Sequence, residues 1–402
     1  MATHAPQIDD QLFGREPDVW PVRVGDDDFQ LFCSGTCLVK AMLEDIAAAR
    51  RRVWLETYIF ADDQAGRAVA EALKERARAG VDVRLIYDWF GCWRMRSSLF
   101  ADLEAAGVKV HAFHRFGEAL LRPNLFTFFN RRDHRKLLIV DDEIAYCGGM
   151  NLVDTSGLRT VEQAREQHLP KSAGWRDLHA RVLGPAAADV AGAFERLWQR
   201  AHRRRVPWPR WRIDRMLAER GDAVYFFDCV PSMKSRHARR VLCPLLRKAR
   251  RNITLSMAYF LPTGAVLREL LRARKRGVKI RVIVPGLSDV RLVQWATRHF
   301  YAWLMRRGIS IFERCDLMLH SKTMIIDDDW TVIGSCNLDP RSLQMNLEFI
   351  GVVRSQAMAT TVKQICALEM RNSRRVTLAD WRGRRWWQRW LDRAAWALRR
   401  WL

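Results

Sequence analysis

The sequence contains the same pattern twice, and this repeat limits the possible folds more than any other feature. Ala49-Arg50-Arg51-Arg52-Val53-Trp54-Leu55 recurs 200 positions later as Ala249-Arg250-Arg251-Asn252-Ile253-Thr254-Leu255. The phase continues: Tyr58-Ile59-Phe60 aligns with Ala258-Tyr259-Phe260, and Arg78 to Arg84 aligns with Lys275 to Arg281 after a small deletion. Each copy predicts a helix ending in basic residues (Leu38 to Arg50; Ala238 to Arg250) and then an apolar strand (Val53 to Phe60; Ile253 to Phe260). A second helix closed by Gly80 or Gly277 follows, and then another strand (Val81 to Tyr87; Val278 to Val284). Glycine after a basic last turn stops a helix because it accepts the left-handed conformation while the cations offset the helix dipole. Strands alternating with helices predict an α/β fold, a mixed sheet flanked by helices. Two copies predict two such lobes.

With 402 residues, 49% of them hydrophobic, the chain can bury two substantial cores. Sixty-eight Lys and Arg against 45 Asp and Glu leave a formal charge of +23, a field that attracts polyanions such as nucleic acid or anionic lipid. The nine cysteines are odd in number and lack Cys-x-x-Cys pairs, so they read as reduced thiols. Residues 1 to 14 lack the basic start and apolar run of a secretion signal, and no run reaches the roughly 18 apolar residues of a spanning helix. The expectation is a soluble or peripheral protein made on the cytoplasmic side.

The chemistry lies in a second, finer repeat. His134-Arg135-Lys136-Leu137-Leu138-Ile139-Val140-Asp141 is followed by Gly148-Gly149-Met150-Asn151, and His320-Ser321-Lys322-Thr323-Met324-Ile325-Ile326-Asp327 by Gly334-Ser335-Cys336-Asn337, with the same spacings. One His-x-Lys arises by chance, but two copies at equivalent places of an internal duplication do not. Residues two apart on a strand share a face, so each His and its Lys point the same way. Asp141 and Asp327, an odd number further on, cannot join them by pleat alone and are given a supporting or turn-stabilising role. Phosphodiester cleavage needs a nucleophile, an acid for the leaving alkoxide and positive charge around the phosphoryl oxygens. Two imidazoles and two ammonium groups supply these without a metal or other cofactor. Gly149, Ser335, Asn151 and Asn337 are expected to bind the phosphate, the glycine by letting backbone approach it closely.

These residues resemble the paired His-Lys-Asp motifs of the phospholipase D superfamily, over roughly Phe29 to Val353. The continuation Asn337-Leu338-Asp339-Pro340-Arg341-Ser342 to Asn346-Leu347-Glu348 is similar to the bacterial cardiolipin synthases. Arg122-Pro123-Asn124, with Phe126, Phe128, Phe129 and Asn130-Arg131-Arg132, is similar to the cardiolipin synthase B type, which lacks N-terminal spans. The resemblance implies two phospholipase D-like lobes about a pseudo-two-fold axis, sharing one site built from His134, Lys136, Asp141, His320, Lys322 and Asp327. It also implies ping-pong phosphatidyl transfer between phospholipids, with phosphatidylglycerol as donor and acceptor. His134 would be the nucleophile and His320 the acid and then base, with Asp177 and Glu348 orienting the imidazoles. It implies phospholipid substrates. The interleaving of Arg with Trp in the connector and tail suits an anionic membrane surface, on the cytoplasmic face, better than nucleic acid, so no nucleic acid partner is expected, and the sequence is silent on oligomeric state. Glu56 is a further inward candidate, whereas His168 and His179 read as bystanders.

The expected division is an N-terminal segment (1–26), a first lobe (27–200), a basic Trp/Pro connector (201–222), a second lobe (223–370) and a tail (371–402). Paired prolines make the connector an exposed linker or a lipid-facing surface. The tail holds ten arginines and six tryptophans, with Trp387, Leu391, Ala394, Leu398 and Trp401 on one helical stripe. That pattern suits an interfacial helix, although docking on the protein's own core remains open. The polar insertion from Val153 to Lys171 is expected near the site mouth. Three other functions stay open at this point. They are a phospholipase D hydrolase or other alcohol transferase, a nuclease of the superfamily, and an inactive membrane-surface protein.

Overall fold

The computed structural model describes residues 17–93, 97–114, 130–155, 174–202, 206–208, 211–230, 237–262 and 264–398. The segment with Arg122, Pro123, Asn124, Phe126, Phe128 and Phe129 lies outside the described residues, as do most of the polar insertion, His168 and the end of the tail.

Each half of the chain builds an eight-stranded mixed sheet. The first half supplies β1 (Val19–Val24), β2 (Asp27–Phe32), β3 (Arg52–Thr57), β4 (Asp82–Asp88), β5 (Lys109–Phe113), β6 (Leu137–Val140), β7 (Ile144–Gly148), the short β8 (Trp175–Arg176) and β9 (His179–Leu183). The second supplies β10 (Ala223–Cys229), β11 (Asn252–Met257), β12 (Lys279–Pro285), β13 (Ile309–Arg314), the short β14 (Met318–Leu319), β15 (Lys322–Ile326), β16 (Trp330–Gly334), β17 (Glu348–Arg354) and β18 (Ser373–Val376). The sheet orders are β1-β2-β9-β7-β6-β3-β4-β5 and β10-β17-β16-β15-β11-β12-β13-β18. Seven positions correspond, from β2/β10 to β5/β13. In both lobes a parallel trio runs beside the antiparallel motif hairpin.

Strand alternation explains how the halves join. In β6, Leu138 and Val140 face a core under helices Gly35–Ala48 and Gln64–Arg78, whereas Leu137 and Ile139 face the opposite way. Their other core also contains Ile325, Ile333, Phe349 and Val353 from the second sheet. Met324 and Ile326 of β15 turn outward instead, to a separate core under helices His237–Lys248 and Gly264–Lys275. The inner faces of the two sheets therefore share one apolar layer, completed by helices Ala187–Ala201 and Gln356–Arg371. Gly80 and Gly277 end their helices with φ of +85° and +90°, the conformation that the sequence pattern predicts for them.

Two regions depart from expectation. The connector is not a bare linker: helix Ile213–Ala218 buries Met216, and the Trp211 ring meets Phe227 and His237 at 5.1 and 4.8 Å. The tail helix, Trp386–Ala397, docks on the protein and still leaves tryptophans exposed. It docks on helix Arg291–Arg306 through Ala395 and through Trp396, whose ring lies 4.2 Å from Phe300. Trp386, Trp387, Trp390 and Leu398 remain exposed.

Candidate active site

Each motif enters its strand from a backbone bonded to the other lobe. The amide of His134 donates to the Leu347 carbonyl at 2.9 Å, and that of Leu347 to the Arg132 carbonyl at 2.8 Å. In the same way β14 pairs in parallel with β8, and the amide of His320 donates to the Arg176 carbonyl at 2.7 Å. These crossings bring each histidine to a carboxylate of the opposite half. His134 Nδ1 lies 3.1 Å from Glu348 Oε2 and 3.2 Å from the Ser335 carbonyl, and His320 Nδ1 lies 2.6 Å from Asp177 Oδ2. A carboxylate that accepts the Nδ1 proton fixes the tautomer, which leaves the lone pair on Nε2.

The lysines lie beside these rings, although the regular strands begin only at Leu137 and Lys322. Lys136 Nζ donates to the His134 carbonyl at 2.7 Å and stands 5.3 Å from the centre of the Tyr58 ring. Lys322 Nζ donates to the His320 carbonyl and lies 2.7 Å from Nδ1 and 3.2 Å from Nε2 of that imidazole. Aromatic rings wall both histidines: Tyr58 meets His134 edge-on at 5.1 Å, and Trp175 stacks on His320 at 4.9 Å. Tyr259 approaches His320 edge-on at 6.3 Å, and its hydroxyl donates to Asp289 at 2.9 Å.

Four basic groups buried together disfavour one another's charge. Burial, and then the charge on Lys136, pushes His134 down to about 4 against the pull of Glu348. Burial likewise carries Lys136 down to about 7, with Lys322 adding to the fall. His320 and Lys322 are lowered by burial too. Burial would raise the Asp177 carboxyl, but Lys322 and His320 outweigh it and hold the group below its ordinary range. The cleft is thus short of negative charge, and a phosphodiester would restore protons to it.

A family model described as a cardiolipin synthase, phospholipase D-like domain matches the chain twice, over residues 42–171 and 242–367. The chain belongs to this phospholipase D-like family. The chain is 29% identical over 374 residues to cardiolipin synthase A of Serratia proteamaculans, covering 90% of this chain and 73% of that protein. It is also 29% identical over 376 residues to the minor cardiolipin synthase ClsB of Bacillus subtilis, covering 91% and 88%. Among solved structures, phosphatidylserine synthase from Haemophilus influenzae superposes with a TM-score of 0.65 at 12% identity, covering 89% of each chain. Polyphosphate kinase from Porphyromonas gingivalis gives 0.58 at 16% identity over 88% of this chain and 49% of its own. At such identities these two likenesses speak for the fold alone.

Within this phospholipase D-like framework, Gly149, Ser335 and Glu56 serve other groups than expected, whereas the motif aspartates take the supporting place that strand spacing gives them. Asp141 and Asp327 do not join the imidazoles. Each lies at the far end of its motif strand with φ near +50° and accepts three backbone amides, from Arg50, Arg51 and Arg52 or from Arg250, Arg251 and Asn252, at 2.7 to 2.9 Å. They tie a helix end to the first residue of β3 or β11, the turn-stabilising place that strand spacing gives them, rather than one beside the imidazoles. Gly149 is needed for a different reason from the one expected: a Cβ there would come within 2.2 Å of Asp177 Oδ1, so the glycine makes room for the carboxylate that holds His320. Ser335 also serves a carboxylate, since its hydroxyl donates to Glu348 and accepts the Phe349 amide at 3.0 Å. Asn151 and Asn337 use their side-chain oxygens on the amides of Ile59 and Tyr259, at 3.3 and 3.4 Å, and their amide nitrogens carry no partner among the described residues. Glu56 faces away from the histidines and pairs with the buried Arg135, whose Nε lies 2.6 Å from it. Among the described residues no group of three or more His, Cys, Asp or Glu side chains could hold a metal ion.

Tyr58, Tyr259 and Trp175, which wall the imidazoles, carry no motif in the sequence. The repeat places Tyr58 opposite Ala258 and Tyr259 opposite Ile59, so the two tyrosines are out of register and no motif marks them. His179 is a bystander only in having no partner: it is buried against Gly148, and both ring nitrogens are unbonded. Its counterpart beside Gly334 in the second lobe is Ile350.

Proposed function

We propose that this chain is a phosphatidyltransferase that moves a phosphatidyl group from one phospholipid to the hydroxyl of another, with phosphatidylglycerol as donor and acceptor and cardiolipin as product. The observation that carries the reading is the crossed pair of carboxylate–imidazole contacts, Glu348 to His134 and Asp177 to His320, within a family of cardiolipin synthases. His134 Nε2 attacks the donor phosphorus and the bond to the leaving glycerol oxygen breaks, while His320 gives that oxygen a proton. A phosphatidyl-histidine remains. His320 then takes the proton of the acceptor hydroxyl, whose oxygen attacks phosphorus as the P–N bond breaks. Lys136, Lys322 and the amide nitrogens of Asn151 and Asn337 hold the phosphoryl oxygens, and Glu348 and Asp177 steady the imidazolium forms.

His134 suits the nucleophile because it rests neutral, with about 12% of its side chain exposed against about 5% for His320. The surroundings suit a lipid surface. β3 runs parallel to β4, and β11 to β12, so the residues that follow them leave their sheets at the active-site edge. Phe90 and Trp93 follow β4, Val290 and Leu292 follow β12, and all four are exposed; Trp387 of the tail helix lines one hollow with Leu287, Ser288 and Arg291, which follow β12. No helix among the described residues is long and apolar enough to cross a membrane. This rim and the net charge of +23 support peripheral attachment to an anionic leaflet on the cytoplasmic side.

Incubation with labelled phosphatidylglycerol vesicles tests the reading. Cardiolipin with release of free glycerol is the expected outcome. Phosphatidic acid alone would make the chain a hydrolase, and DNA cleavage with no lipid product would make it a nuclease.

A further inference from the structure

Beside His134, the lobes bring two arginines close enough to act on each other's charge. The adjacent amides of Asn346 and Leu347 donate to the carbonyls of Arg341 and Arg132 at 3.0 and 2.8 Å, which sets the two backbones side by side across the lobe boundary. Both guanidinium groups act electrostatically on the Tyr58 hydroxyl, and Arg341 acts on Arg132 itself. Tyr58 in turn walls His134, so the pair is one side chain away from the proposed nucleophile.

The arrangement is costly as it stands. Arg132 is only 8% exposed, its guanidinium lies over the Phe90 ring at 4.1 Å, and its Nε has no hydrogen-bond partner. Among the described residues neither arginine forms a salt bridge. Asp88 is the neighbouring acid, but its oxygens accept the amides of Phe90, Gly91 and Asp133 at 2.9 to 3.0 Å, and burial raises its carboxyl to about 7. A buried guanidinium beside a like charge, with no bonded carboxylate, is a group prepared for an anion.

Resting on the phosphatidyl-transfer reading, we propose that Arg132 and Arg341 form a second anion subsite that holds the phosphodiester of the acceptor phospholipid. The acceptor's attacking hydroxyl is three carbons from the oxygen that bears its own phosphate, so that phosphate lies close to the reacting phosphorus. Water and simple alcohols carry no such group. Arginines fixed here therefore select a phospholipid acceptor and contribute little to the choice of donor, and guanidinium suits the task because it offers paired donors to phosphate oxygens.

Competition between acceptors separates this role from the donor chemistry. Lysophosphatidylglycerol and glycerol, each labelled, are offered together with phosphatidylglycerol as donor, and the ratio of monolysocardiolipin to newly labelled phosphatidylglycerol is read. R341Q is expected to lower the ratio at least tenfold relative to the unaltered enzyme, and R132Q to do the same, with R132K retaining more than R132Q. An unchanged ratio, whether or not both products form more slowly, would overturn the proposal, because arginines holding the donor phosphate or merely the fold would affect both acceptors alike. The half-buried Arg341 keeps the test valid if R132Q fails to fold. Absence of cardiolipin from phosphatidylglycerol alone would count against the phosphatidyl-transfer reading, whereas the acceptor ratio speaks to the arginines.

Discussion

His134, Lys136, His320 and Lys322 are held in an environment that strips protons from them. Burial lowers all four, and in free protein His134 and Lys136 titrate near 4 and 7. A group lowered in this way binds protons less well folded than unfolded. For His134 this costs stability as pH falls from about 6.5 toward 4, and for Lys136 as pH falls from about 10.5 toward 7. An anion in the cleft reverses the shift by favouring the charged forms. Binding of inorganic phosphate at pH 7.5 should therefore take up protons, read as a binding enthalpy that varies with the ionisation enthalpy of the buffer; no buffer dependence would contradict the electrostatics described here. At this scale the sequence was partly legible. Strand spacing alone puts each His and Lys on one face. Glu348 and Asp177 carry no local sign of their role, because their partners lie 214 and 143 residues away in the other lobe, and only the family resemblance suggested them. Tyr58 and Tyr259 were hidden because the repeat sets them one residue out of step.

Motif strands and helix ends follow the sequence pattern closely, with differences where tertiary contacts decide. The helices of the repeat end at Ala48 and Lys248, and their strands begin at Arg52 and Asn252, with Asp141 and Asp327 bridging the gaps. A carboxylate that accepts three amides is worth more than an ordinary cap, and replacing Asp327 with Ala should cost about 2 kcal/mol, seen as a lower urea midpoint. The loss of activity should then follow the fraction unfolded at each urea concentration. Full activity loss in protein that is still folded would return Asp327 to the catalytic group. The tail shows why an amphipathic stripe does not by itself choose between membrane and core. Its buried positions, Asp392 and Ala395, differ from the predicted apolar stripe, and the tryptophans are left outward. Replacing Trp386, Trp387 and Trp390 together with Ser should weaken binding to anionic vesicles at least tenfold while leaving the melting temperature within about 2 °C, as surface changes do. Unchanged vesicle binding would argue against this helix as the lipid-facing element.

As a whole, the molecule is a duplication whose halves complete each other. Each lobe supplies one imidazole and the carboxylate for the other lobe's imidazole, and the sheets share an apolar layer that neither could bury alone. The repeat made two lobes legible, but not the crossing of β14 with β8 or of Asp133 with Leu347, since these short pairings leave no periodicity to read. The duplication is also imperfect at the site. His179 stands where the second lobe has Ile350, and Gly149 stands where it has Ser335, so the two histidines differ in surroundings and can differ in role. The division of labour between His134 and His320 is the central claim, and trapping the covalent lipid tests it most directly. The single variants His134→Ala and His320→Ala are mixed with phosphatidylglycerol, quenched, and examined by mass spectrometry of the peptides carrying each histidine. The account predicts a phosphatidyl adduct on His134 that accumulates in His320→Ala and no adduct anywhere in His134→Ala. An adduct on His320 in the His134→Ala protein would contradict it.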